Sequence, residues 1–346
     1  MRTLYLCLFL GLLLMAGKMT DARGEEEPAV TGADKKPLRA GMIGLDTSHA
    51  PAFAELLNGP KATGELAGIK VVAAFPGGSP DLPASADRVA GYTKQFKEMG
   101  VEIVDSIDAL LPKVDVVFLE SVDGRPHLAQ ATAVLKAKKP VFIDKPVAGS
   151  LADAVAIFKL AEQLNVPCFS SSSLRFSKGI LSMRDDPKVG KVLGCEARGP
   201  CTLEPHHPDL FWYGIHGVET LFTIMGTGCT AVSRVQTDGT EFVVGRWADG
   251  RVGTFRGLRD GAHGYGATVY GDKGIAPSGG YDGYQPLVVE IVKFFKTGKP
   301  PVSAAETLEI YAFMEAADES KRQGGAPVTI ENVLAKARAA AEKSGP

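Results

Sequence analysis

Hydrophobic and polar positions follow two different rhythms along this chain. From Leu38 to Ser170, short apolar runs rich in β-branched residues alternate with longer stretches of helical period. Leu38–Gly44, Ile69–Phe75, Val101–Val104, Val114–Leu119, Val141–Ile143 and Val166–Ser170 are predicted strands. Ala50–Leu57, Ala84–Met99, Ile107–Leu111, Leu128–Lys138 and Leu151–Leu164 are predicted helices. Strands that are apolar throughout and separated by helices call for a doubly wound parallel sheet covered on both faces. After about Arg175 the pattern shortens and alternates residue by residue. Val192–Ala197, Thr230–Gln236, Glu241–Trp247, Arg251–Leu258 and Gly266–Tyr270 predict an open, mainly antiparallel sheet, with Asp249-Gly250 as a hairpin turn. A helix around Gly217–Met225 is inserted, and Leu287–Lys296, Ala304–Gln323 and Ile330–Glu342 close the chain as helices.

The N-terminus belongs to neither rhythm. Arg2 precedes an apolar run from Leu4 to Ala16, shorter than the roughly 20 residues a membrane span needs. A basic start, a short apolar core and small residues up to Ala22 predict a Sec-type signal peptide over residues 1–22. A polar, disordered leader over 23–36 follows, then domains over 37–173 and 174–346. The expectation is export to a periplasmic or extracellular space, with no membrane anchor in the mature chain. Cys168, Cys195, Cys201 and Cys229 then leave a disulfide open, with no C-x-x-C spacing to suggest a metal. A net charge of -2, without a basic run interleaved with aromatics, gives no support for nucleic-acid binding.

The chemistry concentrates where strands end. Val141-Phe142-Ile143 stops on Asp144-Lys145-Pro146, which sets a carboxylate and an amine at the carboxyl edge of the sheet, where open α/β sheets bind ligands. Leu119 is followed by Glu120 and, before a helix, by Arg125-Pro126-His127. Leu174-Arg175-Phe176 opens the second domain, and Gly214-Ile215-His216 with Glu219 opens its inserted helix. Taken in order, these segments resemble the Gfo/Idh/MocA family of sugar-directed oxidoreductases over nearly the whole mature chain.

The resemblance implies a Rossmann-like domain for NAD or NADP, followed by an α+β substrate domain whose open sheet often pairs with that of a second copy. It implies a sugar or cyclic polyol as substrate, Lys145 as the amine beside the nicotinamide, and His216 as general acid or base. Imidazole suits proton transfer near neutrality, and a nearby ammonium stabilises a developing alkoxide. Tyr213 is a second proton-donor candidate, with Asp209 near it in sequence. Gly44, Asp46, Thr47, Ser48, His49, Glu120, His127, Asp144 and Lys145 are the cofactor-side candidates. Arg175, His206, His207, Trp212 and Glu219 are the substrate-side ones.

Three departures from the family pattern matter. The run Gly44-Leu45-Asp46-Thr47-Ser48-His49 keeps one glycine of the dinucleotide fingerprint and sets Asp46 where the diphosphate lies. Ser48 is expected to cap the following helix. Phe75-Pro76-Gly77-Gly78-Ser79 offers no ribose carboxylate, so Ser79 or the glycine amides are the remaining candidates there. Trp212 stands where the family often has an aspartate. The adjacent His206 and His207 point apart on an extended chain, so no metal site is expected. Two alternatives to redox turnover are open: an exported carbohydrate-binding or scaffold protein, and NAD-assisted cleavage of a glycosidic bond.

Overall fold

In the computed structural model, residues 36–344 are described; the predicted signal peptide and nearly all of the leader lie outside them. The first half is built from β1 (Leu38–Ile43), α1 (His49–Asn58), β2 (Ile69–Phe75), α2 (Pro83–Glu98), β3 (Glu102–Ile103), α3 (Ile107–Leu110), β4 (Val116–Leu119), α4 (His127–Lys136), β5 (Val141–Ile143), α5 (Leu151–Leu164) and β6 (Cys168–Ser170). Its six strands run parallel in the order β3-β2-β1-β4-β5-β6. Strand order reverses between β1 and β4, so the loops after Ile43 and Leu119 diverge and leave a crevice at the carboxyl edge.

The second half contains α6 (Lys178–Leu181), β7 (Val192–Pro200), α7 (Asp209–Trp212), α8 (Ile215–Met225), β8 (Cys229–Thr237), β9 (Thr240–Trp247), β10 (Val252–Leu258), β11 (Gly266–Gly271) and β12 (Ile275–Pro277). It ends with α9 (Gln285–Thr297), α10 (Ala304–Arg322), β13 (Val328–Thr329) and α11 (Ile330–Ser344). Seven strands form the sheet β12-β11-β7-β10-β9-β8-β13, antiparallel except for the β7–β10 pair. The short edge strands β12 and β13 carry no alternating apolar pattern and were not predicted. No helix among the described residues is long and apolar enough to cross a membrane.

One helix from the second half belongs to the first sheet's core. Leu287, Val288, Ile291, Val292, Phe294 and Phe295 of α9 are buried in the same cluster as Phe53, Phe118, Phe142 and Phe169. Phe118 meets Phe295 edge-on at 5.2 Å, and Phe169 meets Phe294 edge-on at 4.8 Å. Each buried phenylalanine contributes roughly 1.5–3 kcal/mol of burial energy, and edge-to-face pairing adds to it. The helix therefore covers one face of the sheet that positions the site. Cys168, Cys195, Cys201 and Cys229 are buried and unpaired, with no disulfide among them, and burial pushes their thiols up to about 12.

Candidate functional site

Strand ends supply the floor of the site. Gly44 turns the chain after β1 with φ +88°; a Cβ there would lie 2.3 Å from the Ser121 nitrogen, so only glycine lets the two loops approach. β4 delivers Glu120 and β5 delivers Asp144 and Lys145, with the Lys145–Pro146 peptide cis. β6 leads into Ser171–Ser173, and α7 and α8 bring Trp212, Tyr213 and His216 over from the second half. These groups meet around a cavity of about 260 Å³, lined by Ser48, His49, Arg88, Lys145, Tyr213 and His216 among others. A larger groove of about 800 Å³ runs along α5, α10 and α11; it brings together no such set of proton-transfer groups.

Two of the lining groups are tuned by burial. Lys145 is held below the usual lysine range chiefly by desolvation, which the charges of Asp144 and Glu120 partly offset. Its Nζ stands 5.5 Å from the centre of the Tyr213 ring. His216 is held well below the ordinary imidazole value, first by burial and then by the charges of Lys145 and His49. Its Nδ1 lies 2.7 Å from Ser172 Oγ, and Tyr213 and Tyr265 flank its ring edge-on, each at 5.7 Å. With Nδ1–H donated to Ser172, Nε2 presents a lone pair, the arrangement a general base requires.

Beneath Lys145 lies a buried cluster assembled from separate elements. His49 Nδ1 is 2.7 Å from Asp144 Oδ2, and one ligand-type atom each of His49, Glu120 and Asp144 lie within 4.8 Å of one another. Both Glu120 oxygens and Asp144 Oδ1 are buried without a hydrogen-bond partner. Burial, then the Asp144 charge, drives the Glu120 pKa well above the usual carboxylate value. Burial also opposes ionisation of Asp144, but His49 and Lys145 outweigh it and hold Asp144 below its ordinary value.

The altered glycine loop is resolved by where Asp46 points. Its carboxylate is fully buried and turned inward, accepting from the Val122 N–H at 2.9 Å and from the Ser85 hydroxyl at 2.6 Å. Burial raises its pKa, and these inward bonds turn the carboxylate expected beside the diphosphate away from the cleft. Ser48 makes no side-chain cap to α1; Thr47 Oγ1 accepts from the His49 N–H at 2.8 Å instead, and Ser48 lies 3.5 Å from the Tyr284 hydroxyl. Ser79 is not free for a ribose. Its hydroxyl donates to Asp123 at 2.6 Å and its N–H to Ser85 at 2.8 Å. For a dinucleotide, the nicotinamide end has Lys145 in the cavity, with the unpartnered Glu120 and Asp144 oxygens buried beneath it. Thr47 and Ser48 at the start of α1 are the donors available to a phosphate.

Several candidates stand behind the wall rather than in it. His127 is fully buried between the Ser121 and Val147 carbonyls. Arg175 and Glu219 are ion-paired at 2.7 Å; Glu219 also accepts from Ser171 at 2.5 Å, and Arg175 pairs with Glu306. They brace the serine run that carries Ser172. His207 packs on Trp212, with Nδ1 2.6 Å from Glu204 and Nε2 3.0 Å from the Gly124 nitrogen. His206 is exposed and paired with Glu204 at 2.7 Å. Asp209 joins Arg234 and Lys321 away from the cavity, whereas Tyr213 and Trp212 line it. Arg88, Tyr281 and Tyr284 also line it and were not singled out; one is on a polar helix face, and two follow an irregular glycine-rich segment with no periodic signal.

Residues 38–172 match the family model described as the GFO_IDH_MocA oxidoreductase family, NAD-binding Rossmann fold. A relative in Ensifer adhaerens, 1,5-anhydro-D-fructose reductase, is 29% identical over 131 residues; the match spans 36% of this chain and 38% of that protein's length. The fold is similar to scyllo-inositol dehydrogenase from Lactobacillus casei, solved with NAD(H) and scyllo-inositol, at TM-score 0.70 and 16% identity, covering 86% of this chain and 100% of that one. It is also similar to myo-inositol 2-dehydrogenase from Lactobacillus plantarum, at TM-score 0.69 and 18% identity, covering 85% of this chain and 99% of that one.

Proposed function

The chain has the Gfo/Idh/MocA fold and carries that family's NAD-binding Rossmann domain, and from this premise we propose that it transfers hydride between NAD or NADP and a secondary hydroxyl of a sugar or cyclic polyol. The observation that carries the proposal is the convergence of Lys145, His216 and Tyr213 on one cavity, with the first two detuned by burial. The polyol and inositol enzymes among the similar proteins support the substrate class. The nicotinamide, when bound, supplies the hydride chemistry. His216 Nε2 takes the hydroxyl proton, and Ser172 holds its ring in the required tautomer. Lys145 hydrogen-bonds the same oxygen and stabilises the charge that develops there. Trp212, Tyr213 and Tyr265 offer flat faces to the C–H side of a sugar.

A second reading, a sugar-binding protein of this fold without turnover, is favoured by one observation. The β2–α2 and β4–α4 loops, which flank the adenosine end, are tied together by Ser79–Asp123 and by Arg125, which bonds Asp81 at 2.8 Å and Asp123 at 2.7 Å. Denaturing the purified protein, assaying released NAD(H) or NADP(H), and titrating both by Trp fluorescence separates the two. Bound or titratable cofactor supports the oxidoreductase; none at millimolar concentration rejects it. If cofactor binds, Lys145→Ala is expected to lower kcat on the order of a hundredfold or more. Wild-type turnover would remove Lys145 from the mechanism. Export through the Sec-type leader is part of the proposal and is checked by N-terminal sequencing of the mature protein.

A further inference from the structure

The cavity gathers cations and hydroxyl donors, and none of the side chains lining it is an acid. Lys145 enters from the floor and Arg88 from α2 at the mouth; Thr47, Ser48, Ser173 and Tyr213 add hydroxyls. Arg88 is exposed and makes no hydrogen bond or ion pair among the described residues; Arg198, Arg246, Arg256 and Arg338 are likewise unpaired, but Arg88 alone among them lines this cavity. Its charge is felt at Lys145, where it disfavours the ammonium. Two like charges facing one small space destabilise it unless a ligand brings the opposite charge. Lys145 has Asp144 and Glu120 beneath it, whereas no carboxylate is paired with Arg88, so Arg88 is the cation of the cavity left for a ligand to meet.

From this arrangement, and resting on the oxidoreductase reading, we infer that the preferred substrate is an acidic sugar, an aldonate or uronate whose carboxylate pairs with Arg88 while its secondary hydroxyl meets Lys145 and His216. A guanidinium matches a carboxylate in a bidentate fork, which sets the register of the ring against the proton-transfer pair. The volume of about 260 Å³ suits one monosaccharide-sized acid. An anionic group could also come from the cofactor. The 2'-phosphate of NADP would lie at the end of β2, where Phe75 to Ser79 contains no arginine; the diphosphate, for which Thr47 and Ser48 of this same cavity are the donors, is told apart by measuring cofactor binding without sugar.

The test compares galacturonate and gluconate with myo-inositol and glucose, using the full-length protein and NAD or NADP. The acids are expected to give the higher kcat/KM, and Arg88→Ala to lower the acid-to-neutral ratio on the order of ten- to a hundredfold, mainly through KM. Arg88→Lys is expected to restore part of it. Galacturonate binding, followed by quenching of Trp fluorescence, is measured separately from turnover. If no sugar is oxidised but galacturonate binds the wild type and not Arg88→Ala, the redox reading fails and the acid site stands. Preference for the neutral sugars, or an unchanged ratio in Arg88→Ala, overturns the inference. So does a loss in Arg88→Ala confined to NAD or NADP binding measured without sugar, which would place Arg88 on a cofactor phosphate.

Discussion

Lys145 and His216 are pulled from their ordinary ionisation by the same cause, the loss of water around a charge. For His216 the sign of the pH effect follows directly. A base works only when unprotonated, and its pKa is depressed well below 6.5. Alcohol oxidation should therefore persist below pH 6.5 and fall only as pH drops through the depressed value. Below 6.5 the unfolded chain takes up the proton first, so His216 also contributes a loss of stability on that side. Initial rates of sugar oxidation across pH 5 to 9 check this; an acid limb at or above 6.5 would count against His216 as the base. His216→Asn should lower kcat on the order of a hundredfold or more, with a smaller change in substrate KM. Both residues were legible in the sequence because each sits at a fixed place relative to a strand or helix end. The direction of Asp46 was not: a residue type at a loop position does not say whether its carboxylate turns outward to a ligand or inward to Val122 and Ser85.

Among the elements, the alternation of strand and helix up to Ser170 could be read because the central strands β4 and β5 are buried and apolar throughout and β1 and β2 are largely so. β13 could not, since two residues paired to the edge of β8 carry no period. The ties between loops were equally invisible, because they join residues far apart in sequence. The β4–α4 loop illustrates this. Asp123 is held below the usual carboxylate range; burial opposes its ionisation, but contacts from His207, Arg125 and Ser79 outweigh it. His207 is the cross-link from the second half, its side chain wholly buried between Glu204 and Asp123. Removing the imidazole takes the Nδ1 partner from Glu204 and the Nε2 partner from the Gly124 N–H. His207→Ala should therefore destabilise the fold by roughly 2–4 kcal/mol. Urea unfolding monitored by circular dichroism measures it, and a change within about 0.5 kcal/mol, as for an ordinary surface site, would mean that the loop tie is not structural.

At the scale of the whole molecule, the sequence divides near residue 173, yet the buried core does not. The rhythm change at Arg175 is real, because one sheet ends there and another begins. What periodicity could not disclose is which sheet a later helix covers: α9 has an apolar stripe, and a stripe does not name its partner. In the fold that stripe lies on Phe118, Phe142 and Phe169, completing the face of the parallel sheet opposite the one packed by α4 and α5. A fragment of residues 37–173 would keep every strand of this sheet and the Asp144-Lys145 corner. It would nonetheless expose an aromatic face that water penalises at roughly 25 cal/mol per Å² of apolar surface. The expected outcome is a compact but poorly packed state: retained far-ultraviolet dichroism, weak near-ultraviolet signal, binding of a hydrophobic dye, and no cooperative thermal transition. Linking residues 285–297 to its carboxyl end should restore cooperativity if the missing face is the cause. A fragment of 37–173 that unfolds cooperatively and gives dispersed amide resonances would refute the account, and would make α9 an accessory cover rather than part of the core that positions Lys145.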